Sequence, residues 1–215
     1  LPTESDAMSI GFYGPGEDFF TLKGAVEELL LKLGIRDLEF IPEKEYGTYH
    51  PGRCARIATK EMHYGPEGPE EELVELGIMG EVHPDVAEKY GIGTRCYAAE
   101  LMMGVVTEMA NLEKAYSPLP KYPATSRDIA LVVDESMAVG DIEKVIASAG
   151  GKILKNIKLF DVYRGPQVGE NKKSVAFALT YRHDDRTLTD EDVNKVHDKI
   201  LKTLKEKLDV TLRDI

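Results

Sequence analysis

The sequence lacks the features that point to secretion or to a membrane. It holds only two cysteines, Cys54 and Cys96, among 215 residues, too few for a disulfide framework and more typical of reduced cytosolic thiols. No run is long and apolar enough to span a bilayer, so no membrane partner is expected. The first residues, LPTESDAMSIG, lack the apolar core of a signal peptide. We therefore predict a cytoplasmic protein.

The sequence also lacks the spacings that metal and nucleotide sites require. Five histidines are scattered along the chain: His50, His63, His83, His183 and His197. None is spaced with a second His or Cys as a zinc site needs. The GGK of residues 150–152 is not a phosphate-binding loop. We therefore predict no metal site and no cofactor in this chain.

Negative charge is concentrated in the first part of the chain. Residues 1–121 hold 11 basic and 22 acidic side chains, whereas residues 122–215 hold 16 of each. The net charge of −11 argues against a surface that binds nucleic acid non-specifically. A local binding site on the balanced second part stays possible.

A proline-rich stretch separates these two parts. Three prolines fall within residues 116–123, YSPLPKYP, and proline fixes φ and removes a backbone donor. We therefore predict a linker at 116–123 between a first domain, 1–115, and a second domain, 124–215.

The second part alternates between strand and helix patterns. The predicted elements, in the order β-α-β-β-α-β, cover residues 127–134, 141–149, 153–165, 173–183, 190–208 and 209–214. Thr189 and Asp192 resemble a capping box before the second helix. This order predicts an α+β protein whose second domain is a ferredoxin-like sandwich, with two helices on one face of an antiparallel sheet.

The motif LFDVYRG, residues 159–165, puts an acid and an aromatic on the open face of that sheet. Strict alternation gives Phe160 and Val162 one face, with Leu159 also expected in the core, and gives Asp161 and Tyr163 the other. Mostly small residues of the other strands share the open face: Ala130, Val132, Ser174, Ala176, Ala178 and Thr180. An exposed tyrosine can stack on a base, and a carboxylate can accept from a base edge. The alternatives are ordinary cross-strand packing or a sheet covered by another domain.

Four segments of the second part follow one another over residues 121–208: KYPATSRDIALVVD, VGDIEKVIASAGG, LFDVYRG and KKSVAFALTYRHDDRTLTDEDV. Together they closely resemble the C-terminal anticodon-binding domain of the bacterial phenylalanyl-tRNA synthetase beta subunit family. In the first part, DFFTLKGAVEELLLKLGI, YHPGRCARI and LGIMGEVHPDVAEKYGI resemble the end of that subunit's non-catalytic module, which has an antiparallel class II synthetase-like fold. The sequence does not begin with Met, and we expect it to be the last part of such a subunit.

The resemblance implies a set of anticodon contacts. It implies that Tyr163 stacks on the wobble base of tRNA-Phe, that Asp161 faces this guanine, and that Ala130 and Ser174 lie close by. Three arginines are further candidates, either for phosphates and base edges or for surface salt bridges: Arg127, Arg164 and Arg182.

The resemblance also implies a larger enzyme. The family enzyme is an α2β2 phenylalanine–tRNA ligase whose active site for phenylalanine, ATP and Mg²⁺ lies in the alpha subunit. The first part shows no ATP-binding arginine of class II type, so we predict a non-catalytic chain. The implied partners are tRNA-Phe and the alpha subunit.

Two other functions are compatible with a ferredoxin-like fold. A small acylphosphatase-like enzyme needs an Arg and an Asn around a phosphate loop, and no such loop occurs near Arg127 or Asn156. A protein-interaction module without RNA binding would have its sheet covered. The exposure of Tyr163 discriminates between a covered sheet and a base-binding one.

Overall fold

The chain divides into two compact units, residues 1–116 and 117–215. The structure is a computed structural model that describes residues 4–65, 68–113, 116, 118–208 and 210–213, with the backbone alone for 63–65 and 68–69. Each unit has its own sheet and its own hydrophobic core.

The first unit is built on a single antiparallel sheet. Its elements are β1 (Ala7–Tyr13), α1 (Phe19–Lys32), β2 (Glu39–Pro42), β3 (Tyr49–Gly65), β4 (Gly68–Val82), α2 (Pro84–Lys89), β5 (Cys96–Met102) and α3 (Met103–Met109). The five strands pair in the order β1-β5-β4-β3-β2. The antiparallel α+β architecture predicted for this part is confirmed.

Helix α1 is held by a defined cap at each end. Asp18 caps its start, where the side-chain Oδ1 accepts a hydrogen bond from a backbone N–H of the first turn at 2.8 Å. At its end the N–H of Ile35 donates to the carbonyl of Leu30 at 3.0 Å, a Schellman pairing. Gly34 between them has φ of 80°, a conformation that glycine adopts without strain. Both Leu30 and Ile35 are thereby buried in the first core.

The second unit has the predicted β-α-β-β-α-β order. Its elements are β6 (Thr125–Asp134), α4 (Val139–Gly150), a single 3-10 turn (Gly151–Ile153), β7 (Leu154–Tyr163), β8 (Lys172–Tyr181), α5 (Asp190–Leu208) and β9 (Thr211–Leu212). The strands form an antiparallel sheet in the order β7-β8-β6-β9, which confirms the ferredoxin-like sandwich. The closing strand was predicted over 209–214, of which residues 209 and 214 lie outside the described part.

Helices α4 and α5 cover one face of this sheet and bury its core. Ile142 and Ile146 of α4, and Ile200 and Leu204 of α5, are fully buried against the sheet, with Phe177 of β8 among their partners. None of the helices in the part of the chain that the structure describes is long and apolar enough to cross a membrane.

The capping box predicted for α5 is confirmed. The backbone N–H of Asp192 donates to Thr189 Oγ1 at 3.2 Å, and the backbone N–H of Thr189 donates to Asp192 Oδ2 at 3.1 Å. Because the two residues satisfy each other's free N–H groups, the helix begins at a defined position.

Strand β7 does not alternate as predicted. Leu159 pairs with Phe177 and Asp161 pairs with Ala176, which leaves Phe160 as an extra residue in a β-bulge. Phe160 is 52% exposed, while Leu159 packs on the core. The expectation that Phe160 lies in the core is therefore wrong, because the extra residue resets the alternation at this point.

A histidine borders the second core. Tyr181, fully buried on β8, lies with its hydroxyl oxygen 3.0 Å from Nδ1 of His197 on α5. Burial raises the pKa of Tyr181 to about 12, so the phenol keeps its proton, and the tautomer of the imidazole decides which of the two groups donates the hydrogen bond. Burial lowers the pKa of His197; Asp198 opposes this shift, and Arg127 adds to it. The folded chain therefore favours the neutral form of His197.

We predict that acid destabilises the second unit through His197. Because the folded pKa lies below the ordinary value of about 6.5, the unfolded chain binds the proton first, and stability falls as the pH drops through that value until the folded pKa is passed. His197→Gln keeps an acceptor for Tyr181 but does not titrate. Urea unfolding between about pH 5 and 8 should show a flatter dependence for the variant, and parallel curves would contradict the prediction.

Candidate nucleic-acid interface

The second sheet has one face that neither helix of the second unit covers. Directly paired residues on neighbouring strands lie on the same face, so the register identifies its members: Ser126, Asp128, Ala130 and Val132 on β6, Asn156, Lys158, Asp161 and Tyr163 on β7, and Ser174, Ala176, Ala178 and Thr180 on β8. Small side chains predominate on central strand β8. The longer side chains stand on edge strand β7.

Asp161 and Tyr163 stand beside the small residues in two adjacent rows. Asp161 pairs with Ala176, which in turn pairs with Ala130, and Tyr163 pairs with Ser174. Directly opposite residues on antiparallel strands have Cα atoms about 4.5–5.5 Å apart. The fold therefore brings the four predicted anticodon-contact residues into one compact group.

The centre of this face is less open than the sequence predicts. Ala130, Ser174 and Ala176, which we name the trough floor, are only 8%, 5% and 8% exposed. Asp161 is exposed and Tyr163 is half-buried. Longer side chains around these small residues shield them from water, so this face, which we name the trough, is partly covered rather than flat and open.

One wall of the trough comes from a residue that sequence reasoning missed. Arg213 follows β9 at the sheet edge opposite β7, and its backbone N–H donates to the carbonyl of Ala130 at 2.9 Å. Its guanidinium carbon lies 5.7 Å from the ring centroid of Tyr163. Alternation in the final segment DVTLRD was the signal that would have assigned Arg213 to this face.

The ring of Tyr163 is held against the backbone two residues further along. A Cβ added to Gly165 would lie 2.6 Å from the ring carbon Cζ of Tyr163, well inside the van der Waals separation of about 3.5 Å. Only glycine leaves the space that the ring occupies. Gly165 of the FDVYRG motif therefore positions the aromatic side chain.

Two of the three candidate arginines lie away from the trough. Arg127 pairs with Leu179 of the core face, and its Nη2 donates to Asp190 Oδ1 at 2.9 Å at the start of α5. Arg182 follows β8, eight residues beyond Ser174, which corresponds to roughly 26 Å along a strand. Neither side chain is brought together with Tyr163 and Asp161.

Arg164 directly follows Tyr163, the last residue of β7. Its Nε donates to Glu135 Oε1 at 2.8 Å, and Nζ of Lys173 donates to the backbone carbonyl of Glu135 at 2.8 Å. Burial lowers the pKa of Lys173; Glu135 opposes the shift and Arg164 adds to it. An exposed ion pair contributes only about 0–1 kcal/mol to stability. Arg164 can therefore leave the carboxylate of Glu135 and bind a phosphate with little loss of free energy.

An open cleft in the first unit contains a buried acid, Glu81. In this cleft of about 730 Å³, Glu81 accepts a hydrogen bond from Arg53 Nη1 at 2.7 Å, and Arg95 Nε lies 3.7 Å from Glu81 Oε1.

The two cysteines and the side chains that could ligate a metal were also candidates for a site. Cys54 and Cys96 are free thiols, and burial raises the pKa of both, that of Cys54 to about 11. Within the described residues, no group of three or more His, Cys, Asp or Glu side chains is arranged to hold a metal ion.

Comparison with known proteins matches both units. Residues 120–213 match the ferredoxin-fold anticodon binding domain, and residues 1–103 match the phenylalanyl tRNA synthetase beta chain CLM domain. Three similar proteins are phenylalanine–tRNA ligase beta subunits. That of Clostridium tetani is 46% identical over 99% of this chain and 25% of the relative. Those of Clostridium acetobutylicum and Bacillus licheniformis are each 44% identical, over 99% and 91% of this chain and 25% and 23% of the relatives.

Fold and matches together define the class of protein, a synthetase chain that joins a CLM domain to an anticodon binding domain. The chain belongs to the phenylalanine–tRNA ligase beta subunit family. It spans about a quarter of the length of these two Clostridium relatives. The family resemblance read from the sequence is thereby confirmed.

We predict that Gly165→Ala displaces the ring of Tyr163. The added methyl group occupies the ring's place, while the ring itself can rotate away, so the free energy of unfolding should change by less than about 1 kcal/mol. Aromatic NMR signals of Tyr163 should shift in Gly165→Ala. Gly140→Ala is the matched control, because a Cβ there meets nothing within 4 Å. Unchanged Tyr163 signals would show that Gly165 does not position the ring.

Proposed function

We propose that the second unit binds the anticodon of tRNA-Phe. The observation that carries this proposal is the grouping of Tyr163 and Asp161 beside a floor of small residues on a helix-free face. Single-stranded bases are recognised by stacking on an aromatic ring and by hydrogen bonds to their edges. The trough offers both kinds of contact within a few ångströms, and the family match supports the assignment.

Each member of the group has a distinct role in this proposal. Tyr163 stacks on the wobble base, and the carboxylate of Asp161 accepts hydrogen bonds from it. The side chain of Asp161 makes no hydrogen bond or ion pair with any other described residue, so both of its carboxylate oxygens are available. Guanine presents an imino and an amino hydrogen on its Watson–Crick edge, which a carboxylate can accept together. Ala130 and Ser174 leave the depth that a base needs.

The arginines contribute unequally. Arg164, which directly follows Tyr163, is a candidate for a backbone phosphate. Arg127 is engaged with Asp190 on the other face, and Arg182 lies far along β8, so we assign neither to the wobble base. The second part carries no net charge, and we infer that it contributes base selectivity more than affinity.

The whole protein acts, in this proposal, within an ATP-dependent phenylalanine–tRNA ligase. The active site, with ATP and Mg²⁺, belongs to the alpha subunit of an α2β2 assembly in the cytoplasm, and residues 1–115 contact that subunit. Residues 116–123 link this part to the anticodon-binding domain, 124–215. Positioning the anticodon on the trough orients the tRNA while its acceptor end reaches the distant active site.

We predict that Tyr163→Ala weakens binding of a tRNA-Phe anticodon stem-loop. Loss of base stacking should cost about 1–3 kcal/mol, roughly 5- to 150-fold in Kd. Fluorescence anisotropy with the 215-residue chain at fixed ionic strength measures this change. Tyr90→Ala removes a tyrosine that is 79% exposed in the first unit and serves as the control. If the two variants bind equally well, Tyr163 is not a stacking residue.

We predict that Asp161→Ala reduces the preference for guanine at the wobble position. The variant should lose affinity for the guanine stem-loop and change little with an adenine stem-loop, because adenine lacks the imino hydrogen. Titration of both RNAs against parent and variant gives the discrimination ratio. An unchanged ratio would remove the proposed role of Asp161. If the parent chain binds neither RNA, the second unit does not bind the anticodon in this chain and the proposed function fails.

A further inference from the structure

The guanidinium of Arg213 forms the wall of the trough opposite Tyr163. Register places Arg213 on the helix-free face, since Thr211 pairs with Val132 of that face and the Arg213 N–H donates to the Ala130 carbonyl at 2.9 Å. Its guanidinium carbon lies 5.7 Å from the ring centroid of Tyr163. Two side chains from opposite edges of the sheet therefore meet above it.

The meeting of these side chains depends on the small residues between them. Strands β9 and β7 are separated by three inter-strand steps of about 4.8 Å, or roughly 14 Å. An arginine and a tyrosine together span that distance only if the side chains on the two strands between them are short. Of the residues between them on this face, Ala130, Ser174 and Ala176 are small and nearly buried, and Val132 is the largest.

We propose that Arg213 is a base-stacking residue, and that the base recognised by the second unit is bound between the guanidinium of Arg213 and the ring of Tyr163. This inference rests on the proposed function of the trough. Guanidinium groups stack on bases as aromatic rings do, and arginine is weakly hydrated and planar, which suits it to such a contact. The positive charge also favours the electron-rich face of the base.

A base between the two groups requires a small opening of the trough. Two stacked contacts of about 3.5 Å each place the outer planes about 7 Å apart, compared with 5.7 Å in the free chain. Only the side chain of Arg213 has to move, because its backbone is tied to Ala130. Among the described residues, its side chain makes one hydrogen bond, from Nη2 to Gln167 Oε1, which is long at 3.4 Å, so little is lost when the side chain moves.

A phosphate contact is the competing role for Arg213, and an abasic RNA separates the two roles. A stacking residue loses its effect when the wobble base is removed, whereas a phosphate contact is unchanged by that removal. We would titrate the 215-residue parent chain, Arg213→Ala and Arg213→Lys with two tRNA-Phe anticodon stem-loops at one ionic strength. One stem-loop carries the wobble guanine and the other is abasic at that position.

Arg213→Ala should weaken binding of the guanine stem-loop by about 2- to 30-fold and change binding of the abasic stem-loop by less than 2-fold. Arg213→Lys should stay weaker than the parent, because lysine keeps the charge but lacks the plane. Lys195→Ala, which removes one exposed positive charge on α5, controls for net charge. Thermal melting checks that each variant folds, and the Arg213 backbone hydrogen bond does not depend on the side chain.

Three outcomes would overturn the inference. Equal losses with both stem-loops, restored by Arg213→Lys, would make Arg213 a phosphate contact. No loss with the guanine stem-loop, while Tyr163→Ala does lose affinity, would leave the proposed function intact without Arg213. If the parent does not bind the guanine stem-loop, or Tyr163→Ala binds it as well as the parent, the trough is not the base site and the inference falls with the proposed function.

Discussion

An extra residue in strand β7 is the constraint on which the candidate site depends. Leu159 must face the helices to complete the core, and strict alternation from it would turn Asp161 and Tyr163 to the same buried face. The bulge at Phe160 resets the alternation, so Val162 continues the core while the acid and the aromatic face the trough. The cost is an exposed phenylalanine. A strand without this extra residue would bury both polar side chains.

The two faces of the second sheet divide stability and binding between them. Phe177 and Leu179 of β8 are fully buried under the helices, while Ser174 and Ala176 of the same strand form part of the trough floor. An antiparallel sheet tolerates one face without a helix layer, because burial of the other face supplies its hydrophobic stabilisation. The small residues on the second face are therefore free to create depth for a ligand.

The charge distribution of the second unit favours selective binding of RNA over tight binding. Residues 122–215 hold equal numbers of acidic and basic side chains, and Arg127 and Arg164 are already engaged by Asp190 and Glu135. General attraction to a phosphate backbone is therefore weak. Asp161 repels phosphates but accepts from base edges, so discrimination has to arise inside the trough. Such a module suits a longer protein whose other parts supply affinity, and the relatives of this chain are about four times its length.

The sequence by itself determined the order of helices and strands, the capping box of α5 and the family, because these depend on periodicity and on residues close together in the chain. It also predicted the face of Tyr163, although strict alternation wrongly assigned Phe160 to the core. Only the tertiary structure decided that Arg127 donates a hydrogen bond to Asp190 on the face opposite the trough, and that Arg213 reaches Tyr163 across the sheet. These contacts join residues far apart in the chain. Their geometry follows from strand order, register and a bulge, which local patterns do not encode.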